Sequence, residues 1–140
     1  MKKDEAEIKM TAKMAYDLAY DYDLQYGFCP QCVIAALQDV LEDIPDDLIK
    51  SAQPLSGGGC LTGVGTCGAL MGGLLVIGHY QGRTREQFGK AKQLKCLMTG
   101  KELVEKFMEK YGNDITCKGL QTSFCGRSFN NWNQDDAQAF

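Results

Sequence analysis

Apolar positions recur at helical spacing from the start of the chain. Ile8, Ala12, Ala15, Leu18, Ala19 and Tyr22 fall three or four residues apart with Lys, Asp and Glu between them, which predicts an amphipathic helix over 4–23. Val33, Leu37, Val40, Leu41 and Ile44 repeat the pattern after Pro30, a residue suited to a first helical turn. A second helix is therefore expected to begin at Cys29-Pro30-Gln31-Cys32. Pro45 ends it, and 46–52 has room for one or two further turns with acidic residues near their start. The run from Ser56 to Gly65 holds five glycines and reads as an irregular loop with close backbone approach.

Beyond that loop, Thr66 is placed to cap a helix over 67–79, in which Gly68, Ala69, Gly72 and Gly73 form a small-residue face that admits a neighbouring helix. Thr84 with Gln87, and Thr99 with Glu102, have the spacing of a capping box, predicting helices over 85–97 and 100–111 with Gly112 as the stop. Residues 126–140 are rich in Asn, Gln and Asp, with Phe129, Trp132 and Phe140 standing alone, and read as a polar tail on a single domain of 1–125. Period-two alternation is nearly absent and no internal repeat is visible. The expectation is an all-α fold, a compact bundle of about five helices with a Gly-rich loop ahead of a central buried helix.

Composition narrows the function classes. With 140 residues, 44% hydrophobic and 24% charged, the chain has the make-up of one globular domain. Net charge is −3 and the lysines are spread among acidic residues, so no basic stripe exists to neutralise phosphates, and nucleic acid is not an expected partner. Asp4, Glu5 and Glu7 follow Met1-Lys2-Lys3 where a signal peptide needs an apolar core, which points to the cytoplasm. The most apolar stretch, 64–78, is shorter than the roughly 20 residues that span a bilayer.

Seven cysteines, at 29, 32, 60, 67, 96, 117 and 125, are the remaining peculiarity. An odd count without an export signal argues against a structural disulfide framework; in a reducing compartment clustered thiols bind metal or exchange electrons. Cys29 and Cys32 sit at an expected helix start, where unpaired backbone N–H groups favour a thiolate, so Cys29 is the expected reactive thiol and Cys32 its neighbour on the same face. A thioredoxin setting needs a βαβ pattern that is missing, and haem attachment needs a histidine where Val33 stands. Cys67 is also expected at a helix N-terminus, so Cys29, Cys32 and Cys67 are the redox candidates. Cys60 reads as an auxiliary thiol and Cys96 as a core residue. The glycine loop lacks the lysine of a phosphate-binding loop. His79, the only histidine, is expected at a helix end, and the aspartates as solvated caps and faces.

These residues resemble the C_GCAxxG_C_C family, to which redox activity is ascribed and which is named for a Cys-Gly-Ala-x-x-Gly motif and four cysteines. Gly27-Phe28-Cys29 followed by Val33 looks like its first block. Gly57-Gly58-Gly59 and then Cys67-Gly68-Ala69-Leu70-Met71-Gly72 look like the central block, and Tyr111-Gly112 leading to Cys117 looks like the third, with Cys125 as the fourth cysteine. The family is similar to the iron–sulfur region of split-Soret cytochromes c. The resemblance implies that Cys29, Cys67, Cys117 and Cys125 ligate an iron–sulfur cluster, with Gly58, Gly59 and Gly68 against the cofactor. Cys32 and Cys60 depart from the pattern.

Three readings follow. The first is an iron–sulfur protein for electron transfer or sensing, served by an electron-transfer or redox partner. The second is a metal-free thiol–disulfide protein working through Cys29 with Cys32 or Cys67. The third is a zinc-binding module whose role lies in a protein partner. A homodimer through the face around Gly68 and Gly72 is compatible with each.

Overall fold

Helix α1 (Glu5–Tyr26) starts where Asp4 and Glu7 exchange side-chain-to-backbone hydrogen bonds in a capping box. A two-residue turn then reverses the chain: Gly27 and Phe28 both take left-handed φ values, 67° and 62°. Helix α2 (Cys29–Val40) follows with Pro30 in its first turn, and α3 (Asp46–Ala52) runs on into a short 3-10 turn at Gln53–Leu55. After the glycine loop come α4 (Gly68–Gln81), α5 (Leu94–Tyr111), α6 (Cys117–Cys125) and α7 (Gln134–Gln138), with a second 3-10 turn at Arg85–Gln87. This is a computed structural model describing residues 2–140; Met1 lies outside them.

The all-α class is as expected, with seven α-helices in place of about five. Helix α2 lies between α1 and α4, and α5 packs on the other side of α4. The core beneath α2 is apolar: Ile34, Ile44, Ala52 and Val76 are buried, with Leu37, Leu41, Leu48, Ile49 and Leu75 packed against them. Small residues let α4 reach α2. A Cβ added at Gly72 would lie 2.9 Å from the Pro30 carbonyl oxygen, so the small face expected to take a neighbouring helix takes α2.

Three local expectations change. Thr84 and Gln87 do form their capping box, but only a single 3-10 turn follows, and the helix forecast over 85–97 is confined to its last residues. The second capping box, at Thr99, is not used: the Thr99 hydroxyl donates to the Lys95 carbonyl and to Gln81 Oε1, and α5 runs through it unbroken from Leu94. Thr66 does not cap α4. It forms an isolated antiparallel bridge with Thr116, which leaves Cys67 as the residue at the N-cap.

Among the described residues no helix is long and apolar enough to cross a membrane.

Candidate functional site

The bridge between Thr66 and Thr116 fixes two thiols. Around it, the Cys67 N–H donates to the Ile115 carbonyl at 2.8 Å and the Cys117 N–H donates to the Gly65 carbonyl at 2.9 Å. Residues flanking a bridged pair point to the face opposite that pair, so Cys67 and Cys117 leave the backbone on one common face. Helix α6 begins at Cys117 because Thr116 caps it: its hydroxyl accepts from the Gly119 N–H at 3.0 Å and donates to Asp114 Oδ1 at 2.6 Å.

Cys29 arrives from a third direction. It is the first residue of α2, and α4 approaches it through Gly68, where a Cβ would lie 2.7 Å from Pro30 Cδ and 3.5 Å from Cys29 Cβ. Gly58 plays the same part on the other side. Its φ of 75° suits glycine, and a Cβ there would lie 3.0 Å from Cys117 Cβ. Gly58 and Gly68 thus bring backbone close to the thiols, whereas Gly59 has open space at the Cβ position.

Burial first, then the charges of Asp23, Cys67 and Cys117, push the Cys29 thiol well above the ordinary thiol range. Burial also pushes the Cys117 thiol up, with Cys67 contributing, while a hydrogen bond from Asn131 Nδ2 to Cys117 Sγ, 3.7 Å, acts the other way. Cys29, Cys67 and Cys117 are thus close enough to influence one another pairwise.

Burial and the negative charge of Asp23 act on Cys29 against the thiolate-favouring pull expected of its helix start.

The other cysteines lie elsewhere. Cys32 is buried, its thiol donates to the Gly27 carbonyl at 2.9 Å, and burial followed by Asp23 pushes it up to about 11, with neither Cys67 nor Cys117 acting on it. It lines a cavity of about 420 Å³ together with Tyr22, Tyr26 and Phe28. The local motif therefore splits: Cys29 faces the distant cysteines and Cys32 faces away. Cys125 is exposed at the far end of α6, eight residues on from Cys117, about 12 Å along the axis. Cys60 is exposed in the glycine loop, and Cys96 is half-buried near the start of α5. His79 stands near the end of α4, its Nε2 bonded to the Asp43 carbonyl.

A metal or cluster can be tested against this donor set. Four thiolates do not converge, because Cys125 stands apart. Among the described residues no three His, Cys, Asp or Glu side chains form a group that would hold a metal ion.

Three residues of the site are not legible in the cysteine spacing. Asp23, at the end of α1, sets the charge around Cys29 and Cys32. Asn131 comes from the polar tail, and Gln121, 1% exposed, holds it through a 3.0 Å bond from Gln121 Nε2 to Asn131 Oδ1. The one sequence signal for them is the density of Asn in a tail that lacks any apolar stripe.

The thiol group and its glycine approaches lie within residues 27–139, and that span matches the family model described as "Putative redox-active protein (C_GCAxxG_C_C)". The chain belongs to this family. Its C_GCAxxG_C_C match takes in α2 through α7 and begins at Gly27, so the whole of α1 precedes it. No curated protein and no solved structure matches the chain.

Proposed function

We propose that this member of the C_GCAxxG_C_C family is a thiol–disulfide redox protein in which Cys67 exchanges a disulfide with Cys117 and with Cys29. The observation that carries the reading is the Thr66–Thr116 bridge, which sets Cys67 and Cys117 on one face, while the next residue after Cys67, Gly68, brings α4 against Cys29.

The chemistry balances with a disulfide-bearing partner as oxidant. A thiolate of the half-buried pair Cys67 and Cys117 attacks one partner sulfur; a protein–partner S–S bond forms, the partner's S–S bond breaks, and the electron pair leaves on the partner's second sulfur, which takes up a proton. The other thiol of the pair loses its proton and attacks the protein sulfur of the mixed disulfide. That step forms Cys67–Cys117 and releases the partner's first sulfur, which is protonated in turn. Two protein thiols have lost two electrons and two protons, and the partner disulfide has gained them. Cys29 then attacks Cys67, forming Cys29–Cys67 and freeing Cys117, a rearrangement that needs no further oxidant.

Equilibration with a glutathione buffer tests this. The expected result is a two-electron couple that Cys67→Ser abolishes, whereas Cys29→Ser and Cys117→Ser each leave one. An intramolecular couple that survives Cys67→Ser overturns the proposal.

A further inference from the structure

Resting on that disulfide chemistry and going beyond it, we propose that Asn131, held by Gln121, makes Cys117 the sulfur that meets the partner and that leaves when the disulfide moves inward to Cys29.

The orientation of the Asn131 amide follows from a chain of donors. The Phe129 backbone N–H is a donor only, and it bonds Gln121 Oε1 at 3.0 Å. Gln121 must therefore turn its Nε2 outward, and this bonds Asn131 Oδ1 at 3.0 Å. With Oδ1 so engaged, Asn131 has only its Nδ2 to turn to Cys117 Sγ, 3.7 Å away. Gln121 is 1% exposed, so a reversed amide would leave buried polar atoms unpaired. Trp132 fixes the same stretch of tail from its other side, its Nε1 donating to the Cys60 carbonyl at 3.1 Å. Among the described residues Asn131 is the side chain that donates to a sulfur of this group.

The Asn131 N–H aimed at the sulfur offsets part of the burial that pushes the Cys117 thiol up, so Cys117 Sγ attacks and leaves faster than it would without that donor. When Cys29 attacks Cys67 in the Cys67–Cys117 disulfide, the bond to Cys117 breaks and its electron pair stays on Cys117 Sγ, in front of the Asn131 amide. The proton of Cys29 goes to solvent. Gln121 is a positioning residue in this account, acting through Asn131.

The test uses Cys67→Ser, which cannot resolve a mixed disulfide, treated with glutathione disulfide and mapped by mass spectrometry. Exposed Cys60 and Cys125 in the same chain serve as reference thiols. Glutathione is expected on Cys117 before Cys29. Adding Asn131→Asp, which keeps the bond from Gln121 but removes the donor, is expected to slow Cys117 about tenfold relative to Cys60 and Cys125. Asn131→Leu, neutral and of similar size, gives the same reading should the aspartate disturb folding. An unchanged ratio in the folded variant, with a Cys67 disulfide present in the oxidised wild type, overturns this inference alone. Absence of that disulfide in the oxidised wild type overturns the exchange reading beneath it.

Discussion

Helix α2 has two differently built neighbourhoods. Toward its C-terminal half, Ile34 is fully buried against Ile44, Ala52 and Val76, and side-chain volume does the joining. At its N-terminus, beside Cys29, backbone hydrogen bonds across the Thr66–Thr116 bridge and glycines that admit close approach set the geometry of Cys67 and Cys117. An apolar core tolerates local repacking, whereas a thiol site assembled from backbone contacts transmits a displacement directly to the sulfurs. The contrast separates what holds this protein together from what it does with its cysteines.

Three substitutions and one pH series test the separation. The largest effect on stability is expected from Ile34→Ala, about 2–5 kcal/mol, read as a lower denaturation midpoint, with the disulfide pattern of the folded fraction unchanged. Gly68→Ala is expected to cost less, about 1–3 kcal/mol, yet to lose the Cys29–Cys67 disulfide, because the new Cβ meets Pro30 and moves Cys29 away. A Gly68→Ala protein that still forms that disulfide at the wild-type rate would erase the distinction between the two ends.

Alkaline pH is expected to act more gently and at the cysteines. The folded-state thiol of Cys32 is raised from about 9.0 to about 11, so the fold disfavours its ionised form. Its contribution to stability is complete below the unfolded value and is lost as pH rises through the folded one. Cys29 and Cys117 are shifted in the same direction. The melting temperature is therefore expected to fall between pH 9 and 11, with a shallower slope in Cys32→Ala; an unchanged slope would contradict the burial of that thiol. The smallest effect is expected at the surface pair Lys101 and Glu105, 2.8 Å apart and exposed, where Lys101→Ala leaves the denaturation midpoint essentially unchanged.

The helices that carry apolar stripes were legible in the sequence. Helix α1 follows its periodicity closely, since one face must be buried whatever the partner, whereas α2 starts as expected but stops at Val40, short of the Pro45 expected to end it, because Leu41 turns extended. Capping boxes at Thr84 and Thr99 misled because a cap fixes where a turn can start, not how far a helix extends. Tertiary packing of α5 on α4 decided that. In the site, Cys29 and Cys67 stand at the helix starts expected of them, whereas Cys117, expected in a turn-rich segment, opens helix α6. Spacing did not tell that Cys29 and Cys32 face different neighbours, because three residues apart on a helix leaves the sulfurs free to serve different sides. Nor did spacing hold Asn131 and Gln121: their role arises from hydrogen bonds between the tail and α6 that exist only once the chain has folded.

The most direct measurement is disulfide mapping of the wild-type protein after oxidation, by peptide mass spectrometry without reduction. The account predicts Cys67 joined to Cys117 or Cys29, with Cys32 and Cys125 as free thiols. Cys29 joined to Cys32, or stoichiometric iron and acid-labile sulfide in protein prepared without oxygen, would contradict it.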